Sequence, residues 1–193
     1  IQDDNIDNLR TFYSCLYRVL LFPRTVYEYD QDDNIIHYSP YNGKVLPGYM
    51  FTDNGFWDTF RAVFPFFNLM YPEQNSKFMK GLSNTYKESG WLPEWVSPGH
   101  RNVMIGSNSA PIIADAYLKN VADMNIELLL EAMLKNATTN DNRPQDKNGN
   151  TINSVGREGV NFYNKMGYVP YDVDINENVA ITLEYAYADF TIS

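Results

Sequence analysis

The sequence predicts a mainly α-helical domain with one small β-hairpin excursion, and three observations carry that prediction. Apolar residues recur at three- and four-residue spacing through most of the 193 residues. The stretch from Arg24 to Phe51 breaks that period with runs of Tyr, Val and Ile around two turn signals. Pro23, Pro72 and Gly90 stand where one periodic segment gives way to the next. Helices of ordinary length with one apolar face each must bury those faces against one another, so the implied architecture is helices packed about a shared centre.

The first helix is expected over 7–22, where Leu9, Phe12, Tyr13, Leu16, Tyr17, Leu20 and Leu21 form a continuous stripe. Asp7 is placed to cap its start and Pro23 to stop it. The excursion follows, with one turn at Asp30-Gln31-Asp32-Asp33-Asn34 and another at Asn42-Gly43, a dipeptide that favours a two-residue hairpin loop. Helical period returns over 54–70 through Trp57, Phe60, Phe64, Phe67 and Met70, with Pro65 expected to kink or shorten the helix. Pro72 suits the first turn of a helix over 73–89 carrying Phe78, Leu82 and Tyr86, ended by Gly90. Residues 91–106 have no period and form a long ordered loop. Helices are expected over 109–120, 125–138 and 153–166, with the polar run from Thr138 to Thr151 as an exposed loop. The last helix, 178–192, lines up Val179, Leu183, Ala186 and Phe190 on one face.

An apolar fraction of 44% argues for a folded domain and against disorder. The net charge of -9 repels phosphate backbones and anionic lipid, so nucleic acid and membrane surfaces are poor partners. No run approaches the ~20 apolar residues of a membrane helix, so membrane insertion is not expected. The single cysteine, Cys15, lies among apolar residues and is expected to be an inert packed thiol. Aromatic residues reach 15% of the chain, which suits a Tyr-rich core or a cleft whose rings face the C–H faces of sugars.

Metal chemistry finds little support. His37 and His100 are the only histidines, and no Cys or His spacing suits zinc. The Asp30, Asp32, Asp33 turn resembles a calcium loop, yet Ile35 replaces its glycine and Tyr41 its final glutamate. Neither a G-x-S-x-G nucleophile turn nor a phosphate-cradling glycine loop occurs. The sequon Asn136-Ala137-Thr138 is a short pattern that arises by chance.

Two segments mix tryptophan, carboxylate and arginine: Phe51 to Arg61, with Trp57 and Asp58, and Gly90 to Asn102, with Trp91, Glu94, Trp95, His100 and Arg101. A monosaccharide pocket needs that mix, an aromatic platform with groups that bind adjacent hydroxyls bidentately. The plain alternative is that Asp58 pairs with Arg61 or caps a helix, while Trp91 and Trp95 fill a loop core.

Five motifs in order, F-W-D-T-F-R-A (Phe56 to Ala62), G-W-L-P-E-W (Gly90 to Trp95), P-G-H-R-N-V-M-I-G (Pro98 to Gly106), I-I-A-D-A-Y-L-K (Ile112 to Lys119) and T-L-E-Y-A-Y-A-D (Thr182 to Asp189), resemble the catalytic core of glycoside hydrolase family 92. The opening T-F-Y-S-C-L-Y-R (Thr11 to Arg18) is similar too. The resemblance covers nearly the whole chain and is looser over the hairpin region and 138–151. It implies about the first half of an (α/α)6 helical toroid, with the remaining toroid and a preceding β-sandwich domain outside this chain. It further implies exo-acting, inverting, calcium-dependent removal of terminal α-linked mannose from glycans, in a protein exported to the periplasm or cell surface.

By that resemblance Trp57, Asp58, His100 and Arg101 line the subsite for the terminal mannose, with Glu94 as an addition. The family's E-G-N, G-N-D-D and G-N-E-P motifs do not occur here, which leaves the catalytic acid and base and the calcium ligands unassigned and this chain alone inactive. Asp53, Glu94 and Glu184 are the carboxylates that could substitute. Half a toroid would leave a bare apolar flank, most naturally at the Val179, Leu183, Ala186, Phe190 face, open to self-association. The alternative reading is a non-catalytic carbohydrate-binding or interaction module on the same helical fold.

Overall fold

The structure, a computed structural model, describes residues 1–140 and 155–193. Helix α1 (Ile6–Val19) opens on Asn5, whose side-chain oxygen accepts the Asp7 N–H at 2.9 Å. Asn5 replaces Asp7 as the cap because a cap residue stays extended, as Asn5 does at φ −93°, whereas Asp7 already lies in the first turn. No residue of α1 is buried, and Cys15 is exposed rather than packed. The stripe forms as the spacing requires but stays mostly exposed among the described residues, with Leu9 and Leu16 half-buried, and Cys15, which lies off the stripe, faces solvent.

The excursion is larger than a single hairpin. Strand β1 (Arg24–Thr25) pairs antiparallel with β5 (Phe51–Thr52), and between them β2 (Tyr27–Tyr29), β3 (Ile35–Tyr38) and β4 (Val45–Pro47) form an antiparallel sheet in that order. Tyr27 lies opposite His37, and His37 opposite Leu46. The acidic turn closes on itself: Asp30 Oδ1 accepts from the Asp32 and Asn34 N–H groups at 2.9 and 2.8 Å. These hydrogen bonds hold the Asp30 carboxyl below its usual range and occupy the oxygen a cation would need. Asn42-Gly43 sits within a longer connection, closed where Ser39 N–H donates to Lys44 O at 2.8 Å, and not in a two-residue loop.

Strand β6 (Asn54–Gly55) leads into α2 (Phe56–Thr59) and then α3 (Val63–Met70). The expected single helix is broken at 60–62, upstream of Pro65. Pro65 thereby falls in the first turn of α3, where its missing N–H leaves no hydrogen bond unmade. Helix α4 (Pro72–Ser89) begins on Pro72 and ends on Gly90, whose φ of 81° no L side chain adopts readily and whose N–H donates to Tyr86 O at 2.7 Å. Phe64, Phe67 and Phe78 meet at its inner face, and Phe51 of β5 stands edge-on to Phe78 with centroids 4.6 Å apart. Such offset rings contribute beyond their buried area.

Strand β7 (Trp95–Val96) interrupts the long loop and pairs with β6. Helix α5 (Ser109–Leu118), α6 (Ile126–Thr138), α7 (Val160–Met166) and α8 (Asn178–Ile192) complete the fold. The polar run up to Thr151 and the first residues of the helix expected over 153–166 lie mainly outside the described residues; α7 itself starts only at Val160. Helices α3, α4, α5, α6 and α8 share the main core through Phe67, Met79, Ile113, Leu129, Ala132 and Ala188, so the domain is mainly α-helical as expected. Asn136 is buried on α6, donating to Leu92 O at 3.1 Å and accepting from Leu92 N–H at 3.3 Å, and so serves as a clasp for the loop rather than a glycan acceptor.

Helix α8 buries Ile181, Tyr185 and Ala188 and leaves Val179, Leu183 and Phe190 exposed, Phe190 at 76%. The apolar face singled out in the sequence is therefore exposed among the described residues, beside a groove of about 640 Å³ bounded by α5, α6 and α8. No described helix is long and apolar enough to cross a membrane.

Candidate functional site

The two tryptophan-carboxylate segments, some forty residues apart, are joined by their backbones. Gly55 pairs with Trp95 and Asn54 with Val96, and Phe56 N–H donates to Glu94 O at 3.1 Å. Gly55 is required there because a Cβ would stand 2.4 Å from the Trp95 ring and 2.9 Å from an Asp58 carboxylate oxygen. The Trp95 ring thus lies over Gly55 beside Asp58, whose side chain is exposed at the start of α2.

The second segment folds back on itself. Arg101 N–H donates to Trp95 O at 2.9 Å, and its Nε to Ser97 O at 2.6 Å, which fixes the root of an exposed side chain. His100 is half-buried against Tyr41, ring centroids 4.8 Å apart. Burial pushes the Tyr41 hydroxyl up to about 12, so it stays protonated. His100 and Arg101 stand between two hollows. One is an open basin of about 440 Å³ with Tyr41 and Glu88 on its wall, and the other a crevice of about 40 Å³ floored by Glu94, Glu158 and Tyr185. Glu94, His100 and Arg101 therefore line one crevice, while Trp57 and Asp58 lie on the adjoining α2 and line neither hollow.

Glu94 keeps a partly open edge at the crevice, yet its carboxyl is enclosed by protein. It accepts from Ser109 Oγ at 2.9 Å and Ser109 N–H at 3.2 Å, at the N-terminus of α5. Burial raises its pKa to about 7, against the opposing pull of those hydrogen bonds and of Arg157. A raised carboxyl binds its proton more tightly in the folded chain than in the unfolded one. Its contribution to stability is then largest below about pH 4.5 and falls as pH rises to about 7, by an amount on the order of 3 kcal/mol. The Glu94→Gln variant lacks this titration. Measured by thermal unfolding at a series of pH values, the variant should gain on the original chain across that window, and parallel curves would contradict the assignment.

Other buried polar residues near the site carry weaker sequence signals. Arg157 is buried, its Nη1 2.6 Å from Asp189 Oδ1 and its guanidinium carbon 4.8 Å from the Tyr185 ring centroid. Tyr163 hydroxyl donates to Asp189 Oδ2 at 3.0 Å. His37 is buried with Nδ1 2.8 Å from Gly48 O and Nε2 2.9 Å from Glu88 Oε1. Because a carbonyl only accepts, Nδ1 carries a proton, and the pair is a structural support beneath the open basin. Trp57 Nε1–H donates to Glu184 Oε1 at 3.3 Å, and Arg61 Nη2 to the same oxygen at 3.0 Å, so Arg61 pairs with Glu184 rather than Asp58. Among the described residues no three His, Cys, Asp or Glu side chains converge to hold a metal ion.

The whole chain, residues 1–193, matches the family model described as the glycosyl hydrolase family 92 catalytic domain. It is similar to a solved family 92 inverting mannosidase of Bacteroides thetaiotaomicron, at 51% identity and a TM-score of 0.85, over 96% of this chain and 24% of that one. A second family 92 α-mannosidase of that organism, solved with mannoimidazole, is 30% identical with a TM-score of 0.78, over 94% of this chain and 22% of that one. A curated relative, an uncharacterised secreted glycosidase of Arthroderma benhamiae, is 29% identical over 95% of this chain and 19% of its own length. The chain thus spans about a quarter or less of these relatives.

Proposed function

The chain belongs to glycosyl hydrolase family 92, and from that premise we propose that it forms the mannose-holding wall of an exo-acting α-mannosidase whose catalytic acid and base lie elsewhere. The observation that supports this reading is the Gly55–Trp95 pairing, which joins the backbone of the segment carrying Trp57 and Asp58 to the segment carrying Glu94, His100 and Arg101. In it, the Trp57 indole offers a flat apolar face to a pyranose, and the exposed Asp58 carboxylate accepts from two adjacent hydroxyls. Arg101 and His100 donate from the opposite segment, and Glu94 holds that segment to α5.

Inverting hydrolysis needs one carboxyl to protonate the leaving oxygen and another, ~6.5–9.5 Å away, to activate water. The three substitute carboxylates are already engaged. Asp53 accepts from Ser97 Oγ at 2.8 Å, Glu94 is held by Ser109, and Glu184 by Trp57 and Arg61. The described residues do not fit a calcium ion either, since no cluster converges and Asp30 is occupied by its own turn. Calcium dependence and inversion therefore belong to the proposal for the whole protein, as do terminal α-mannose on glycans as substrate and export to the periplasm or cell surface. The groove bounded by α5, α6 and α8 is proposed as the flank against which the other toroid helices pack, a second copy being the alternative occupant.

Release of mannose from an aryl α-mannoside, with calcium present, tests the reading. The full-length protein should turn over and release β-mannose first by NMR, while the 193-residue chain alone should not. Binding of mannosides without turnover by the full-length protein would favour the carbohydrate-binding module instead.

A further inference from the structure

We propose that Glu184 on α8 is a positioning residue that sets the orientation of Trp57, and through it the sugar platform; this rests on the reading of Trp57 as that platform. Trp57 is gripped at three points. Its Nε1–H donates to Glu184 Oε1 at 3.3 Å, and its backbone oxygen accepts from Arg61 Nη1 at 2.9 Å. The Arg61 guanidinium stands 5.1 Å from the ring centroid, covering one face, and its Nη2 returns to Glu184 Oε1 at 3.0 Å. Glu184 is thus the common anchor of the ring and of the cation that backs it.

The other oxygen, Glu184 Oε2, is buried with no hydrogen-bond partner among the described residues. An enclosed carboxylate oxygen left without a donor is unfavourable, so packing alone does not account for a glutamate here. Two donors on one oxygen account for it, because a charged acceptor binds both more strongly than an amide would. The anchor also spans the site. Glu184 Cβ lies against Gly106, at 3.2 Å from where a Cβ there would stand, and its neighbours Ile181 and Tyr185 floor the crevice shared by Glu94 and Arg101. One turn of α8 therefore backs the His100–Arg101 loop and aims the indole, which fixes the two halves of the wall relative to each other.

The test uses the full-length protein with an aryl α-mannoside and, for binding, methyl α-mannoside. Glu184→Ala should raise KM and the dissociation constant about tenfold with a smaller change in kcat, and Glu184→Gln, which keeps a neutral acceptor for Trp57 but loses the charge that holds Arg61, should restore only part of that loss. Trp57→Ala removes the ring that Glu184 and Arg61 together orient, so adding Glu184→Ala to it should cause no further loss of affinity. Additive losses, or a Glu184→Ala effect on thermal unfolding with KM unchanged, would overturn the proposal while leaving the platform reading intact. If Trp57→Ala changes neither binding nor turnover, the platform reading itself fails and the proposal falls with it.

Discussion

Replacing Gly55 by alanine is expected to destabilise the domain and to disable its site together. The added methyl group would stand 2.4 Å from Cε3 and Cζ3 of Trp95, a residue whose backbone is held by pairing with Gly55 and by Arg101 N–H donating to its carbonyl oxygen. Neither strand can retreat without breaking the Gly55–Trp95 pair or the Phe56 N–H bond to Glu94 O. Overpacking of this kind costs about 1–3 kcal/mol, which lowers the unfolding midpoint by about 2–4 °C per kcal/mol in a domain of this size. Because Asp58 Oδ2 is 2.9 Å from the same point, any relaxation displaces the carboxylate proposed to hold the sugar. Thermal unfolding with a mannoside titration checks both effects, and an unaltered midpoint with unaltered affinity would remove Gly55 from the account.

Asp58→Ala is expected to produce the larger functional loss with little loss of stability. The Asp58 side chain is exposed at the start of α2, and no core contact depends on it. Hydrogen bonds to a charged acceptor contribute about 1.5–3 kcal/mol, so kcat/KM of the full-length protein should fall about 10- to 150-fold. Asp58→Asn should recover part of that, since an amide still accepts one hydroxyl. A drop confined to stability would show Asp58 to be a structural cap.

Much of this was legible in the residues. The helices at 72–89 and 178–192 follow from apolar spacing and, for the first, from Pro72 and Gly90, since each device acts within a single turn. The mixture of tryptophan and carboxylate in two segments likewise marked the Trp57 and Glu94 regions. What joins them was not legible, because a two-residue pair between strands forty positions apart has no period to detect. Arg157 gave no signal, its partner Asp189 being distant in sequence and its burial depending on the Tyr163 and Tyr185 rings. Helix α1 shows the converse limit, with no buried residue along its stripe and Cys15 exposed beside it: periodicity predicts a helix with an apolar face but not what covers it.

The leaving-group dependence of Glu94→Gln in the full-length protein tests most directly the claim that this chain holds the sugar while the chemistry is done elsewhere. A catalytic acid matters for a poor leaving group and hardly at all for an activated one, whereas a residue that anchors the wall affects both alike. With its carboxyl bound to Ser109 at the N-terminus of α5, Glu94 should behave as an anchor. The account predicts the same fold-change in kcat/KM for an activated aryl mannoside and for an alkyl mannoside. A loss about 10²-fold or more greater on the alkyl mannoside would place the acid at Glu94 and contradict it.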